Sequence, residues 1–271
     1  MRFKDILGNT DFKNTLINSV ENNRLSHSQL FLGGSGSSKL ALAISFAQYI
    51  NCKKKSKNDS CGECDSCIKH ANLSHPDLHL IFPVLTINNI KKPVSDHFVI
   101  KWREEVLKNP YLSLDNWFDV FSSDNKTGKT GYIYTHESES LHQKLALKHY
   151  ESEYRVVIIW MPEKMQANTS NKLLKLLEEP PKNTIFLLVS ENSDMLLNTI
   201  ISRLQILKVK SDSSKEIQLV LKNKFPKTSD IEIQKVISFT NADLGESIHV
   251  LYEDTFEDDN FEDYQSWMRL C

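Results

Sequence analysis

Two short apolar runs, Val156-Val157-Ile158-Ile159 and Thr184 to Val189, stand one helix-length apart in this chain. Both are rich in β-branched and large aliphatic residues and show no polar alternation. Strands of that kind are buried on both faces, which places them in a parallel sheet covered by helices. Between them the spacing predicts a helix from about Thr169 to Glu178, with Leu173, Leu174 and Leu177 inward and Pro180-Pro181 as its stop. Upstream, Gln29-Leu30-Phe31-Leu32 runs into Gly33-Gly34-Ser35-Gly36, a strand feeding a glycine-rich turn. A helix follows, with Ala41, Ile44, Ala47 and Tyr49 or Ile50 on its inner side, and an amphipathic helix capped at Asn9 or Thr10 precedes, with Phe12, Leu16, Ile17 and Val20 on one face. Strands alternating with helices predict a mostly parallel α/β sheet flanked by helices.

From about Ser211 the strands give way to helical patterns, at Ile217–Lys222 and Ile231–Phe239, so the expected division is a larger unit over 1–210 and a small helical unit over 211–271. Residues 85–135 mix Asn, Lys and Ser with Trp102, Tyr111, Trp117 and Phe118 and give no clear period. Within them Gly128-Lys129-Thr130 has Ser123 where a phosphate loop needs glycine and follows no strand, so it reads as a plain loop. The acidic stretch Glu253 to Asp263 reads as helix continuing to Cys271. A formal charge of -2 argues against a strongly basic nucleic-acid binder. No apolar run approaches the roughly 18 residues of a membrane span, and Met1-Arg2-Phe3-Lys4-Asp5 does not open a signal peptide, so the expected compartment is the cytoplasm.

The turn after the first strand reads Gly33-Gly34-Ser35-Gly36-Ser37-Ser38-Lys39-Leu40. A phosphate loop, GxxxxGK[ST], needs glycines so that backbone N–H groups close on phosphate, a lysine for the terminal phosphates and a hydroxyl for Mg²⁺. Gly33 and Lys39 fit, and Gly36 adds a further glycine. Ser38 replaces the second required glycine, and Leu40 replaces the hydroxyl. The acids that hold Mg²⁺ and orient water in such ATPases belong at the end of a later strand, where this chain has Trp160 and Met161. Glu163 stands two residues too far along and reads as a solvated charge. Nucleotide hydrolysis is therefore not expected, though an anion at the helix N-terminus beside Lys39 stays open.

Four of the five cysteines, Cys52, Cys61, Cys64 and Cys67, fall within sixteen positions. Clustered thiols in a reducing compartment point to zinc ahead of disulfides or free thiols, and four thiolates leave no open coordination position. The expected cofactor is thus one structural zinc in a module over about 52–77. Lys53, Lys54, Lys55 and Lys57 lie in the loop it closes, read as a solvated loop with nucleic-acid contact as the alternative.

Four stretches together carry a family resemblance: His27-Ser28-Gln29-Leu30-Phe31-Leu32-Gly33, the cysteine cluster with His75-Pro76-Asp77, Asn171-Lys172-Leu173-Leu174-Lys175-Leu176-Leu177-Glu178-Glu179-Pro180-Pro181, and Thr199-Ile200-Ile201-Ser202-Arg203. In that order they resemble the delta-prime subunits of bacterial DNA polymerase III clamp loaders, members of the AAA+ superfamily, over roughly residues 5–250. Trp160-Met161-Pro162-Glu163-Lys164-Met165 is similar to the Bacteroidetes type. The resemblance implies an AAA+ phosphate-loop-type domain over 1–210, degenerate in its nucleotide site, with an inserted zinc module and a helical lid over 211–271 ahead of a collar domain that this chain is expected to lack.

It further implies a non-catalytic subunit that helps load the sliding clamp in DNA replication. Its partners would be ATPase subunits and a delta-type subunit, and through the complex the clamp and primer-template DNA, with no membrane. Arg203 would act in trans, as a finger in a neighbour's ATP site. The family pattern Ser-Arg-Cys departs here to Leu204, and a surface ion pair is the other reading of Arg203. Asn192 and Gly245-Glu246-Ser247 stand where AAA+ sensors lie; Asn192 reads as a turn residue, and the second stretch has no arginine. The alternatives are an active ATPase with an atypical site and a zinc-dependent nucleic-acid adaptor.

Overall fold

A computed structural model describes residues 1–86, 90–121 and 130–254. Five strands, β1 (Ser28–Leu32), β2 (Leu78–Ile81), β3 (Arg155–Trp160), β4 (Thr184–Ser190) and β5 (Gln205–Lys208), form one parallel sheet in the order β2-β3-β4-β1-β5. The two runs that opened the sequence reading are β3 and β4, and every residue of both is buried. They sit side by side, with Ile158 opposite Leu187 and Ile159 opposite Leu188. This is the parallel α/β sheet flanked by helices that the sequence predicts.

Side chains alternate between the two faces along each strand. Phe31, Val156, Ile158, Ile185, Leu187 and Val189 join the core on the face of α1 (Thr10–Glu21) and α2 (Lys39–Asn51). Leu30, Val157, Ile159, Phe186 and Leu188 point the other way, toward Leu141 and Leu145 of α6 (Thr135–Ala146), Leu173, Leu176 and Leu177 of α7 (Ala167–Glu178) and Ile200 of α8 (Asn198–Ile201). All thirteen residues of α2 are buried, because α1 and α3 (Asp65–Ala71) pack on it away from the sheet. A helix apolar all round has to be enclosed in this way.

Asn9 does not cap α1 through its side chain; it adopts a left-handed conformation with φ of 51°. Its amide instead donates to the Lys210 carbonyl at 3.1 Å and accepts from the Lys210 N–H at 3.0 Å, tying the chain start to the end of β5.

Residues 90–121, opaque in the sequence, fold into α4 (Val99–Lys108) and α5 (Leu114–Asp119). Reciprocal backbone hydrogen bonds between Val84 and Tyr132, at 3.0 and 3.1 Å, close the base of this excursion. Its centre is aromatic. Phe82 stacks on Trp102 with centroids 4.7 Å apart and meets Trp117 edge-on at 5.5 Å, while Trp117 donates to the Pro83 carbonyl at 2.8 Å. Gly128 and Lys129 lie outside the described residues, as do residues 255–271 with most of the acidic stretch and Cys271.

Past β5 come α9 (Ser214–Lys224), α10 (Asp230–Phe239) and α11 (Leu244–Asp254). Capping boxes start the first two, Ser213 with Glu216 and Ser229 with Glu232, so both helices begin where side chains satisfy their free N–H groups. Ile217, Leu221, Ile233, Val236 and Ile248 continue the core of the α2 face. Among the described residues no helix is long and apolar enough to cross a membrane.

A buried carboxyl fastens the excursion to α6. Glu137 is 2% exposed and accepts from the Ser95 N–H at 2.7 Å and the Ser95 hydroxyl at 2.9 Å. Burial raises its pKa from 4.5 to about 7, against the Ser95 bonds. The folded state therefore holds an extra proton between those values, and that contribution, full below pH 4.5, is lost as pH rises through about 7. Urea unfolding at pH 5 and pH 7.5 is expected to show this decline in the native chain and a flatter dependence for Glu137→Gln.

Candidate functional site

The glycine-rich turn connects the C-terminal end of β1 to the N-terminus of α2, the position where open α/β sheets place ligands. Gly36 has φ of +63°, and its open face is filled from across the cleft. A Cβ there would stand 2.0 Å from an Asp243 carboxylate oxygen. Ser38, at the second required glycine, donates its hydroxyl to Asp212 at 2.7 Å. Lys39 is 3% exposed and its ammonium donates to the Gly34 carbonyl at 2.8 Å and to Glu191 at 3.1 Å. Leu40 is buried in the α2-face core. The cleft over the turn, about 360 Å³, is lined by Ser35, Gly36 and Ser37 on one side and by Asp212, Asp243 and Leu244 on the other. Burial raises the pKa of Asp212, which the Ser38 hydrogen bond opposes. Two carboxyl groups thus face the turn where an anion would sit, while its lysine is already paired.

Trp160 and Met161, at the acidic positions, are 1% and 2% exposed. The Trp160 ring packs on Trp102 at 6.2 Å, so the excursion's aromatic stack reaches the end of β3. Met161 leaves the strand with φ of 54° while its N–H bonds the Val189 carbonyl at 2.9 Å. Neither side chain offers an oxygen to a metal.

The reading of Glu163 as a solvated charge does not hold. One of its oxygens accepts the Glu191 N–H at 3.0 Å, and burial raises its pKa. A 3-10 turn over Pro162–Lys164 folds it back toward β4, which a count of positions along the chain does not reveal. Asn192 accepts the Asp194 N–H at 2.9 Å, as a turn residue does. Gly245 lies against the Tyr111 carbonyl, and Ser247 is buried in a hydroxyl pair with Thr240 at 2.7 Å.

The four cysteines converge. Cys52 ends α2, Cys61 and Cys64 lie in the following loop, Cys67 is in α3, and their sulfurs all lie within 4.8 Å of one another. Cys52 to Cys61 is 3.6 Å and Cys61 to Cys67 is 3.8 Å. A tetrahedral metal–thiolate centre with bonds of about 2.3 Å spaces its sulfurs by about 3.8 Å, whereas a disulfide needs about 2.05 Å. The four thiols therefore fit one metal ion. Backbone N–H groups of Glu63 and Cys64 point at the Cys61 sulfur and lower its pKa to about 6.

Behind the cluster, the Asp77 carboxylate gathers three backbone N–H groups, from Tyr150, Glu151 and Ser152, at 2.8 to 2.9 Å. His75 stacks on His70 at 4.3 Å and meets the Ser152 hydroxyl at 3.0 Å. The His75-Pro76-Asp77 triplet thus fastens the module to the loop that feeds β3.

Arg203 follows α8 and is partly exposed. Its guanidinium donates to the Thr199 carbonyl at 2.7 Å and pairs with Glu178 at the end of α7. The leucine-rich helix and the arginine stretch, far apart in sequence, meet at this ion pair. Asp212, Asp243 and Glu191 escape a reading of the sequence because no motif marks them; they sit in turns and caps that only the tertiary fold brings to the phosphate-loop turn.

The family model described as DNA polymerase III, delta subunit, matches residues 8–213, more than half of the chain. A DNA polymerase III subunit delta' of Bacillus subtilis (strain 168) is 33% identical over 71% of this chain and 44% of its own length. The DNA polymerase III subunit tau of the same organism is 26% identical over 80% of this chain and 30% of its own. A gamma subunit-related protein of DNA polymerase III from Thermotoga maritima superposes with a TM-score of 0.46 at 14% identity, covering 96% of this chain and 78% of that one. The chain spans less than half the length of the two curated relatives. On the family match and the one-third identity, this chain belongs to the DNA polymerase III delta-prime subunit family.

Proposed function

We propose that this chain serves as a non-catalytic subunit of a replication clamp loader. It would support loading of the sliding clamp on primer-template DNA beside tau/gamma-type ATPase subunits and a delta-type subunit. What carries the reading is the state of the phosphate-loop turn: Lys39 is paired with Glu191 and the Gly34 carbonyl, and Asp212 and Asp243 face the mouth. A nucleotide triphosphate brought there would meet like charge, with no carboxylate or hydroxyl at Leu40, Trp160 or Met161 to hold its magnesium. An active ATPase with an atypical site would need all of these to rearrange together. In this reading residues 1–210 form the AAA+-type unit and the helices from 211 its lid.

Zinc is the metal that four thiolates with tetrahedral spacing suit best, and with no open position its role is structural. The expected stoichiometry is one zinc per chain in native mass spectrometry. Cys67→Ser is expected to lose the metal and lower Tm by more than about 5 °C, since structural zinc carries on the order of 10 kcal/mol of folding free energy in small modules. A Cys67→Ser chain with unchanged Tm and no metal in the native protein would contradict this.

Arg203, released from Glu178, is the residue that would enter a neighbouring ATP site. In a complex reconstituted with its ATPase partners, Arg203→Ala is expected to slow single-turnover hydrolysis at the one site it serves by about 10³-fold or more. Glu178→Ala, which frees the guanidinium, is expected to retain it. Unchanged hydrolysis with alanine at 203 would leave the residue as an intramolecular tie only.

A further inference from the structure

The loop from Cys52 to Cys61 carries Lys53, Lys54, Lys55 and Lys57, all exposed. Three sets of contacts hold it in place. The Asp59 carboxylate accepts the Phe3, Lys4 and Ser60 N–H groups at 3.1, 3.0 and 2.7 Å, docking the chain's first residues on the module. Ser56 closes a turn on the Asp59 carbonyl through its N–H at 2.9 Å and its hydroxyl at 2.8 Å. At the base, Gln48 of α2 donates to the Ser60 hydroxyl at 2.9 Å, and Cys52 accepts the Cys61 N–H at 3.3 Å. A loop whose only task is to connect two ligands gains little from so many ties.

Among the described residues no carboxylate lies within ion-pair distance of the lysines on this fixed loop: Glu151 interacts with Lys53 only at longer range, and only Lys55 has a ring contact, over Tyr49 at 5.9 Å. The one acid inside the loop, Asp59, is engaged by backbone N–H groups. A zinc tetrathiolate would carry two net negative charges and Asp59 a third, which the four lysines of the loop exceed by one; the exposed acids Glu63 and Asp65 lie past Cys61, outside the loop. The docked N-terminal segment adds the exposed Lys4 to the same module. This local excess stands in a chain whose formal charge is -2.

From this we propose that the cysteine module is a docking site for the sugar–phosphate backbone of nucleic acid, held through Lys53, Lys54, Lys55 and Lys57. Lysine ammoniums act as point charges toward phosphate and read no bases. The loop presents no strand edge, and Ile68 is the only exposed large hydrophobic between residues 52 and 77, so it has little with which to grip a peptide. Repeated phosphates along a strand are the ligand that clustered, unpaired, pre-positioned lysines suit. The site is separate from the phosphate-loop turn and does not depend on the clamp-loader reading; it is tested on this chain alone.

The test is binding of a fluorescent 20-nucleotide single strand and a 20-base-pair duplex to the zinc-loaded chain between 50 and 200 mM salt. With four phosphates neutralised, the log–log slope is expected near -3 for the single strand and near -3.6 for the duplex, a loss of about 50- to 150-fold in affinity across that range. Lys53→Gln, Lys54→Gln, Lys55→Gln and Lys57→Gln together are expected to abolish the binding while zinc content and circular dichroism stay unchanged. The control Lys215→Gln, Lys227→Gln and Lys235→Gln, three exposed lysines of α9, α10 and the turn between them, is expected to leave it intact. Absence of salt-dependent binding, binding that survives the loop variant, or binding to polyglutamate in place of nucleic acid would each overturn the proposal.

Discussion

The Lys39 ammonium lies at the N-terminus of α2, 2.8 Å from the Gly34 carbonyl and 3.1 Å from Glu191, almost wholly buried. In a phosphate loop that charge is kept free for a ligand. Here it is an internal tie between the turn after β1 and the end of β4. An ammonium taken out of water needs such partners, because an unpaired buried charge is costly. Once Lys39 is fixed, the turn is fixed, and with it the cleft that Asp212 and Asp243 close from the far side. The helices past β5 meet that turn through the chain's own side chains, Asp212 at Ser38 and Asp243 at Gly36.

The excursion over residues 90–121 strengthens the same arrangement from two directions. Its aromatic stack, Phe82, Trp102 and Trp117, meets Trp160 at the end of β3, so a large indole is packed where a metal-holding acid would need water and space. Its other end reaches the C-terminal helices. Asn109 donates to the Gly245 carbonyl at 2.9 Å, and the Tyr111 carbonyl lies so close to Gly245 that an added Cβ would stand 2.1 Å away. The aromatic excursion thus packs at once on the end of β3 and on the C-terminal helices.

Much of this was legible in the sequence, for physical reasons. β3 and β4 are unbroken apolar runs and α7 has a clear helical period with a sharp stop, and all three fall within two residues of their expected bounds. The cysteines were legible because ligand spacing is local. β2 and β5 were missed: four residues each are too short for a period, and β5, on the sheet edge, is mostly exposed and carries no apolar run. The excursion was missed because its helices bury isolated aromatics against Phe82 and Trp160, a pattern that only the tertiary neighbours explain. Glu163 reads as a solvated charge in the sequence because its burial depends on a turn that points it back at Glu191. Asp212 and Asp243 could not be assigned at all, as their meaning arises only from the closeness of the C-terminal helices to the turn after β1.

The most direct measurement is isothermal titration of Mg²⁺-ATP into the zinc-loaded chain at low salt, where electrostatic terms are largest. With Lys39 paired and two carboxyl groups facing the turn, no saturable heat is expected up to millimolar nucleotide. Saturable, magnesium-dependent binding that Lys39→Ala removes would contradict the central claim that this phosphate-loop turn is closed by the chain's own side chains.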